Sequence, residues 1–374
     1  MLLENVVGHH AVSETLQKAV EQGRVSHAYL FEGPSAVGKF TIARSFAATL
    51  LCPNGGCGEC NVCRRVLEGK HPDVTVIKPE GKNIPVDTIR GMILSAFRKP
   101  MEADRKVYII KNADMMWEEG ASTLLKVLEE PPGDVVFILL SANPSGMLST
   151  IRSRCRVVTF GRVPAEELAA YLVDEKGVSV EDARLIVRLT GGVLGRALDW
   201  CDEPWRLARR DTVIRAARAL RLADLNQTLE LAQELHREIQ APLDEIAAAF
   251  QESKLSLADG SLDAGTARRL GKDLDEECKR RQIREELRGI KDIFSILAWW
   301  YRDILIIKEG GDTALVTNMD LEREILEESE SVSTARLLEC IELMEESMRA
   351  AEQNVPAQLN LESALFGVQE ALYA

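Results

Sequence analysis

Two groups of residues in this 374-residue sequence have the types and spacing for chemistry. The first is the run Gly33-Pro34-Ser35-Ala36-Val37-Gly38-Lys39. Between a strand and a helix, such a run lets backbone N–H groups at the helix N-terminus converge on an anion, while the lysine neutralises it; this is a phosphate cradle. A cradle of this kind ordinarily ends in Ser or Thr, whose hydroxyl ligates magnesium. Here the position is Phe40, and Thr41, one residue later, is turned about 100° away on a helix. The plain alternative is a Gly-rich turn with a solvated lysine. The second group is Cys52, Cys57, Cys60 and Cys63, spaced C-x4-C-x2-C-x2-C on a loop carrying Gly55, Gly56 and Gly58. Four thiols at this spacing read as a structural Zn2+ site, closed to chemistry. Cys155, Cys201, Cys278 and Cys340 are far apart and are expected in cores.

A nucleotide hydrolase also needs a second strand ending in acids, one for the metal and one to orient water. The candidate is Val107-Tyr108-Ile109-Ile110, followed by Lys111-Asn112-Ala113-Asp114. Neither Lys111 nor Asn112 offers a carboxylate, and Asp114 is expected to start or cap the next helix. Nucleotide held without hydrolysis fits this combination better than turnover.

These residues need a parallel sheet wrapped by helices to position them. Strands are predicted at Ala28–Phe31, Val74–Ile77, Lys106–Ile110, Val135–Leu140 and Arg156–Phe160, with helices at Gly38–Leu51, Val86–Phe97 and Glu118–Glu129. The pattern divides the chain into 1–161, a nucleotide-binding-like domain with its zinc module at 52–63; 162–203, a small helical lid; and 204–374, an all-helical domain. Breaks between helices are expected around Lys254–Gly260 and Gly310–Asp312. The net charge of −13 is uneven. Residues 1–160 carry 19 Lys+Arg against 17 Asp+Glu, and residues 161–374 carry 27 against 42. The total therefore argues against strong DNA binding by the chain alone, while leaving the front portion nearly neutral. No secretory leader is visible, and the most apolar helical stretch, Ile293 to Tyr301, is far below the roughly 20 residues that span a bilayer. The expectation is a cytoplasmic protein without membrane contact.

The phosphate loop preceded by Ser26-His27-Ala28-Tyr29-Leu30-Phe31, the cysteine insertion followed by His71-Pro72-Asp73-Val74, the run Leu124-Leu125-Lys126-Val127-Leu128-Glu129-Glu130-Pro131-Pro132, and then Ser153-Arg154-Cys155 occur in that order. Together they resemble the AAA+ subunits of the bacterial replicative clamp loader, and more closely a non-motor subunit than the gamma/tau motor, which keeps the hydroxyl and acids replaced here. The segment Ile84 to Arg90 fits the same comparison. The resemblance implies an α/β AAA+ P-loop domain, a helical lid and an all-α C-terminal collar domain. It implies a subunit without intrinsic ATPase in an ATP-driven DNA polymerase III assembly, partnered by gamma/tau and delta subunits and acting on the sliding clamp and primer–template DNA. ATP or ADP would be bound, if at all, at Gly33–Lys39, with Asn143 and Arg196 as phosphate-sensing positions. Arg154 would be an arginine finger given in trans to a neighbour's ATP site. By its own sequence context, Arg154 also reads as one of a basic trio with Arg152 and Arg156. Two further readings stay open at this point: a motor ATPase using Asp114 and Thr41, and a zinc-dependent nucleic-acid binder using Arg64, Arg65 and Lys70 beside the cysteines.

Overall fold

The computed structural model describes residues 2–3, 6–79, 83–203, 205–256 and 264–373. It divides into two compact units, Met1–Asp202 and Glu203–Ala374.

In the first unit the order is α1 (His10–Glu21), β1 (Ala28–Glu32), α2 (Lys39–Leu51), α3 (Asn61–Leu67), β2 (Val74–Ile77), α4 (Val86–Ala96) and β3 (Lys106–Ile110). It continues with α5 (Glu118–Glu129), β4 (Val135–Ser141), α6 (Ser149–Arg152), β5 (Arg156–Thr159), α7 (Ala165–Lys176), α8 (Val180–Thr190) and α9 (Leu194–Asp202). The five strands form one parallel sheet in the order β2-β3-β4-β1-β5. Crossover helices cover both faces of such a sheet, which is why β1, β3 and β4 are apolar and buried almost throughout. Alternate residues serve the two layers. Tyr29, Phe31, Ile109 and Ile138 pack with Leu16, Ile42 and Phe46, while Leu30, Tyr108, Phe137 and Leu139 pack with Ile89, Met92 and Leu124.

The expected α/β class, with flanking helices and a cysteine insertion, is borne out. The strands shift by one residue at three ends: β1 includes Glu32, β4 includes Ser141 and β5 stops at Thr159. The sequence reading passes over α1 and α3. Asp114 caps no long helix: it lies in a single 3-10 turn, Ala113–Met115, and its Oδ1 accepts from the Ala142 backbone N–H (3.3 Å), tying the tip of β3 to that of β4. The following helix starts instead at Glu118, behind Trp117.

The second unit consists of α10 (Trp205–Leu220), α11 (Leu225–Ser256), α12 (Ala264–Lys308), α13 (Glu322–Ser331), α14 (Thr334–Glu352) and α15 (Ala357–Tyr373). Its core gathers around the last turns of α12, where Ile293, Phe294, Leu297, Trp300 and Ile304 meet Leu235, Leu337, Met344 and Leu365. Trp300 is fully buried, while its neighbour Trp299 is half-buried against the same core. The buried carboxylate of Asp303 accepts from the backbone N–H groups of Thr317 (3.0 Å) and Asn318 (2.8 Å) and so fixes the segment after α12. Of the expected breaks, the one at Gly310–Asp312 follows the end of α12. Of the other, Lys254 to Ser256 belong to α11, and residues 257–260 lie outside the described residues. Among the described residues no helix is long and apolar enough to cross a membrane.

Candidate functional site

In a parallel sheet, ligands meet the loops at the carboxyl ends of the strands. Here β1 lies beside β4, and β4 beside β3, so the Gly33–Lys39 loop faces Ser141 and Ala142 and, one strand further, Lys111 and Asn112. Together with Leu194, Gly195 and Leu198 of α9 they enclose a cavity of about 450 Å³. Ser35, Ala36, Gly38, Lys39, Phe40 and Thr41 line it, whereas Gly33, Pro34 and Val37 are not among the lining residues. Thr41 is therefore not turned out of the site as the helical offset suggests, because the first turn of α2 borders the mouth. Asn143 and Arg196 are both exposed and are not among the lining residues.

The loop's carbonyls are engaged from three directions. Buried Lys39 donates from Nζ to the Gly33 and Pro34 carbonyls, each at 2.5 Å. Burial pushes its pKa down, against the pull of the Asp114 carboxylate. His9 Nε2 donates to the Val37 carbonyl at 2.7 Å, and burial pushes this imidazole down too. Ala36 holds a left-handed backbone (φ 61°), a conformation costly for a residue with a Cβ. Its carbonyl is held by the Gly195 N–H at 2.8 Å. A Cβ on Gly195 would stand 2.7 Å from that oxygen, so this contact between α9 and the loop requires glycine. Gly8 N–H and His10 Nε2 both bond the Glu167 carboxylate on α7, at 2.8 and 3.0 Å. Neither His9 nor Gly195 is legible as a site residue from spacing, since each acts through a backbone group distant in sequence.

The two positions where metal ligands would stand face each other. Lys111 Nζ lies 4.3 Å from the centroid of the Phe40 ring, and the Arg44 guanidinium lies 5.3 Å from it. Among the described residues that line the cavity none is a carboxylate. A magnesium ion, which needs hard oxygen ligands, does not fit this pair.

The three arginines before β5 separate by role. Arg152 pairs with Glu32 at the end of β1 (3.1 Å), a nearly buried carboxylate that also accepts from the Thr159 hydroxyl (3.2 Å). Arg154 pairs through Nη2 with Glu129 (2.5 Å), donates from Nη1 to the Thr150 carbonyl (3.1 Å) and remains 36% exposed. Arg156 is exposed on β5.

The second centre is the cysteine loop. The sulfurs of Cys52, Cys57, Cys60 and Cys63 all lie within 4.8 Å of one another, with Cys52 3.8 Å from Cys57 and 3.7 Å from Cys60. Tetrahedral thiolates at about 2.3 Å from zinc stand about 3.8 Å apart, so the group has the donor chemistry and spacing to hold a metal ion. Gly56 makes the turn possible, since a Cβ there would meet the Thr49 hydroxyl at 2.5 Å. Burial, the largest influence on Cys52, raises its pKa, but backbone donors from Cys57, Gly56 and Asn54 bring the thiol down to about 6. Burial pushes the neighbouring Cys63 thiol up instead. The cations beside the loop are engaged: Arg65 is bidentate to Glu102 (2.6 and 3.2 Å) and Lys70 pairs with Glu68 (2.9 Å). Arg64 is exposed and donates to the neutral Asn61 Oδ1 at 3.4 Å.

A family model described as "DNA polymerase III, delta subunit" matches residues 8–164. The chain is 36% identical over 185 residues to the DNA polymerase III subunit delta' of Bacillus subtilis, covering 49% of this chain and 56% of that protein. It is 39% identical over 178 residues to subunit delta' of Pseudomonas aeruginosa, covering 45% and 53%. It is also 34% identical over 197 residues to subunit gamma/tau of Mycobacterium bovis, covering 50% and 34%. The chain thus spans about half the length of the delta' relatives it matches.

Proposed function

We propose that this chain, similar to delta-prime subunits of DNA polymerase III over its front half, is a clamp-loader subunit of that type that does not hydrolyse ATP and supplies Arg154 to a neighbour that does. The observation that carries the reading is the Phe40–Lys111 pair, an aromatic ring and an ammonium at the two positions a hydrolase gives to metal ligands. The loop of Gly33, Pro34, Ser35, Ala36, Val37, Gly38 and Lys39 would then hold ATP or ADP as a static ligand that stabilises the domain by mass action. Asn143 and Arg196, each following a residue that lines the cavity, would be its phosphate-sensing positions.

Arg154 is suited to its role by being partly exposed and held, among the described residues, only by the Glu129 carboxylate and the Thr150 carbonyl. A guanidinium offers planar, paired donors to phosphate oxygens, and an arginine finger is worth about 10³–10⁵ in rate where it acts. On this reading the cysteine group binds one structural Zn2+, which fixes the loop between α2 and α3. The division into 1–161, 162–203 and 204–374 would correspond to AAA+ domain, lid and collar. The partners would be gamma/tau and delta subunits in the cytoplasm, with sliding clamp and primer–template DNA reached through the assembly.

The test is co-purification with gamma/tau-type subunits, followed by ATP hydrolysis with and without clamp and primed DNA. The reading requires a stable complex whose hydrolysis falls when Arg154→Ala replaces the native chain. Vigorous magnesium-dependent turnover by the purified chain would favour a motor instead.

A further inference from the structure

We propose that the cavity between the phosphate loop and α9 takes a nucleoside di- or triphosphate free of magnesium, with the Lys111 ammonium standing in for the metal's charge. The inference rests on the nucleotide-holding part of the reading above and specifies its chemistry.

The cavity lining contains two ammonium groups, Lys39 and Lys111, and no carboxylate among the described residues. A polyanion is the ligand class that neutralises such a lining. Lys111 is half-buried; its backbone N–H donates to the Ile77 carbonyl at 2.8 Å, while among the described residues its ammonium makes no hydrogen bond or ion pair and meets the Phe40 ring face. A ring face attracts the charge but cannot accept three N–H donors as oxygen atoms do. The ammonium is thus fixed at the tip of β3 with donors to spare, one strand from the loop whose N–H groups and Lys39 would take the same phosphates. The volume of about 450 Å³ suits a small ligand, and Leu194 and Leu198 give it an apolar side where a base and sugar could lie. A divalent ion here would meet a ring and a like charge.

The test is calorimetric titration of the full chain with ADP and with ATP, once in excess magnesium and once in excess EDTA. We expect dissociation constants in the two conditions to agree within about threefold. In EDTA, Lys111→Ala should weaken binding by about tenfold or more, the loss of a charge-assisted contact, while Arg323→Ala, an exposed substitution on α13, leaves it unchanged. Because the comparison of conditions is made on the native chain, it stands even if the Lys111 variant folds poorly. Binding that strengthens more than about tenfold with magnesium overturns the inference. So does the absence of heat and of any thermal shift with either nucleotide. Neither result touches the role of Arg154, which is read from hydrolysis by the complex.

Discussion

The Lys111 ammonium stands 4.3 Å from the centre of the Phe40 ring, and this pair lines the cavity between the phosphate loop and β3 without offering a metal an oxygen ligand. The purified chain should therefore release phosphate from ATP at the background rate, with or without magnesium. Phe40→Ser alone should not restore turnover, because Lys111 and Asn112 still deny the site a carboxylate. A phosphate-release assay measures both. Magnesium-dependent turnover that disappears in Lys39→Ala would contradict the assignment.

Arg152 and Arg154 are two residues apart but should behave differently when truncated. Arg152 compensates Glu32, whose side chain is 9% exposed, so Arg152→Ala leaves a nearly buried carboxylate short of a partner and should cost about 1–3 kcal/mol. Arg154→Ala breaks an exposed pair and should cost about 0–1 kcal/mol. Urea denaturation of the two variants separates them. A large loss of stability in Arg154→Ala would make that residue a structural element instead of a donated one.

For the cysteine group, elemental analysis of the purified protein should find one zinc per chain. Cys57→Ser/Cys60→Ser should abolish it and lower the melting temperature of the first unit, since a structural zinc site supplies folding energy directly. Full metal content in the double variant would reject these ligands.

Acid should destabilise the first unit in two stages. Burial lowers the His9 pKa below the ordinary 6.5, so the folded state binds fewer protons than the unfolded chain. Stability is therefore lost as pH falls below about 6.5. Asp73 titrates lower: burial raises its pKa, but N–H donors from Met101, Glu102 and Ala103 at 2.7–2.9 Å outweigh it. The stability Asp73 gives is present above its ordinary 3.8 and is lost as pH falls through the lower folded value. Burial lowers the His71 pKa in the same direction, so denaturation midpoints across pH should show His9→Gln reducing the first stage and Asp73→Asn reducing the second. Unchanged profiles would mean that these contacts do not set acid stability.

Much of this architecture is legible in the sequence, for physical reasons. The buried strands are continuous apolar runs bounded by turns, and α5 is bounded by Pro131-Pro132, so their positions follow from local pattern. The cysteines are legible because four thiols must lie close in the chain to close one loop. Asp73 is different: the segment His71 to Val74 supports a resemblance, but only the folded chain shows a carboxylate gathering the backbone of residues 101–103. His9 and Gly195 leave no local signal at all, because they act on Val37 and Ala36 across long stretches of sequence. Even Thr41, judged by helical offset alone, is placed wrongly, since the cavity lining includes Lys39, Phe40 and Thr41 at the start of α2.

The measurement closest to the central claim is steady-state ATP hydrolysis by a complex of motor subunits assembled with native chain, with Arg154→Ala, or with Arg154→Lys. Hydrolysis at the neighbouring site should fall in both variants by up to about 10³–10⁵, because a lysine keeps the charge but not the paired donors. Assembly of the complex should be unaffected. If the Arg154→Ala complex assembles fully and hydrolyses ATP at the native rate, Arg154 is not a finger and the account fails at its centre.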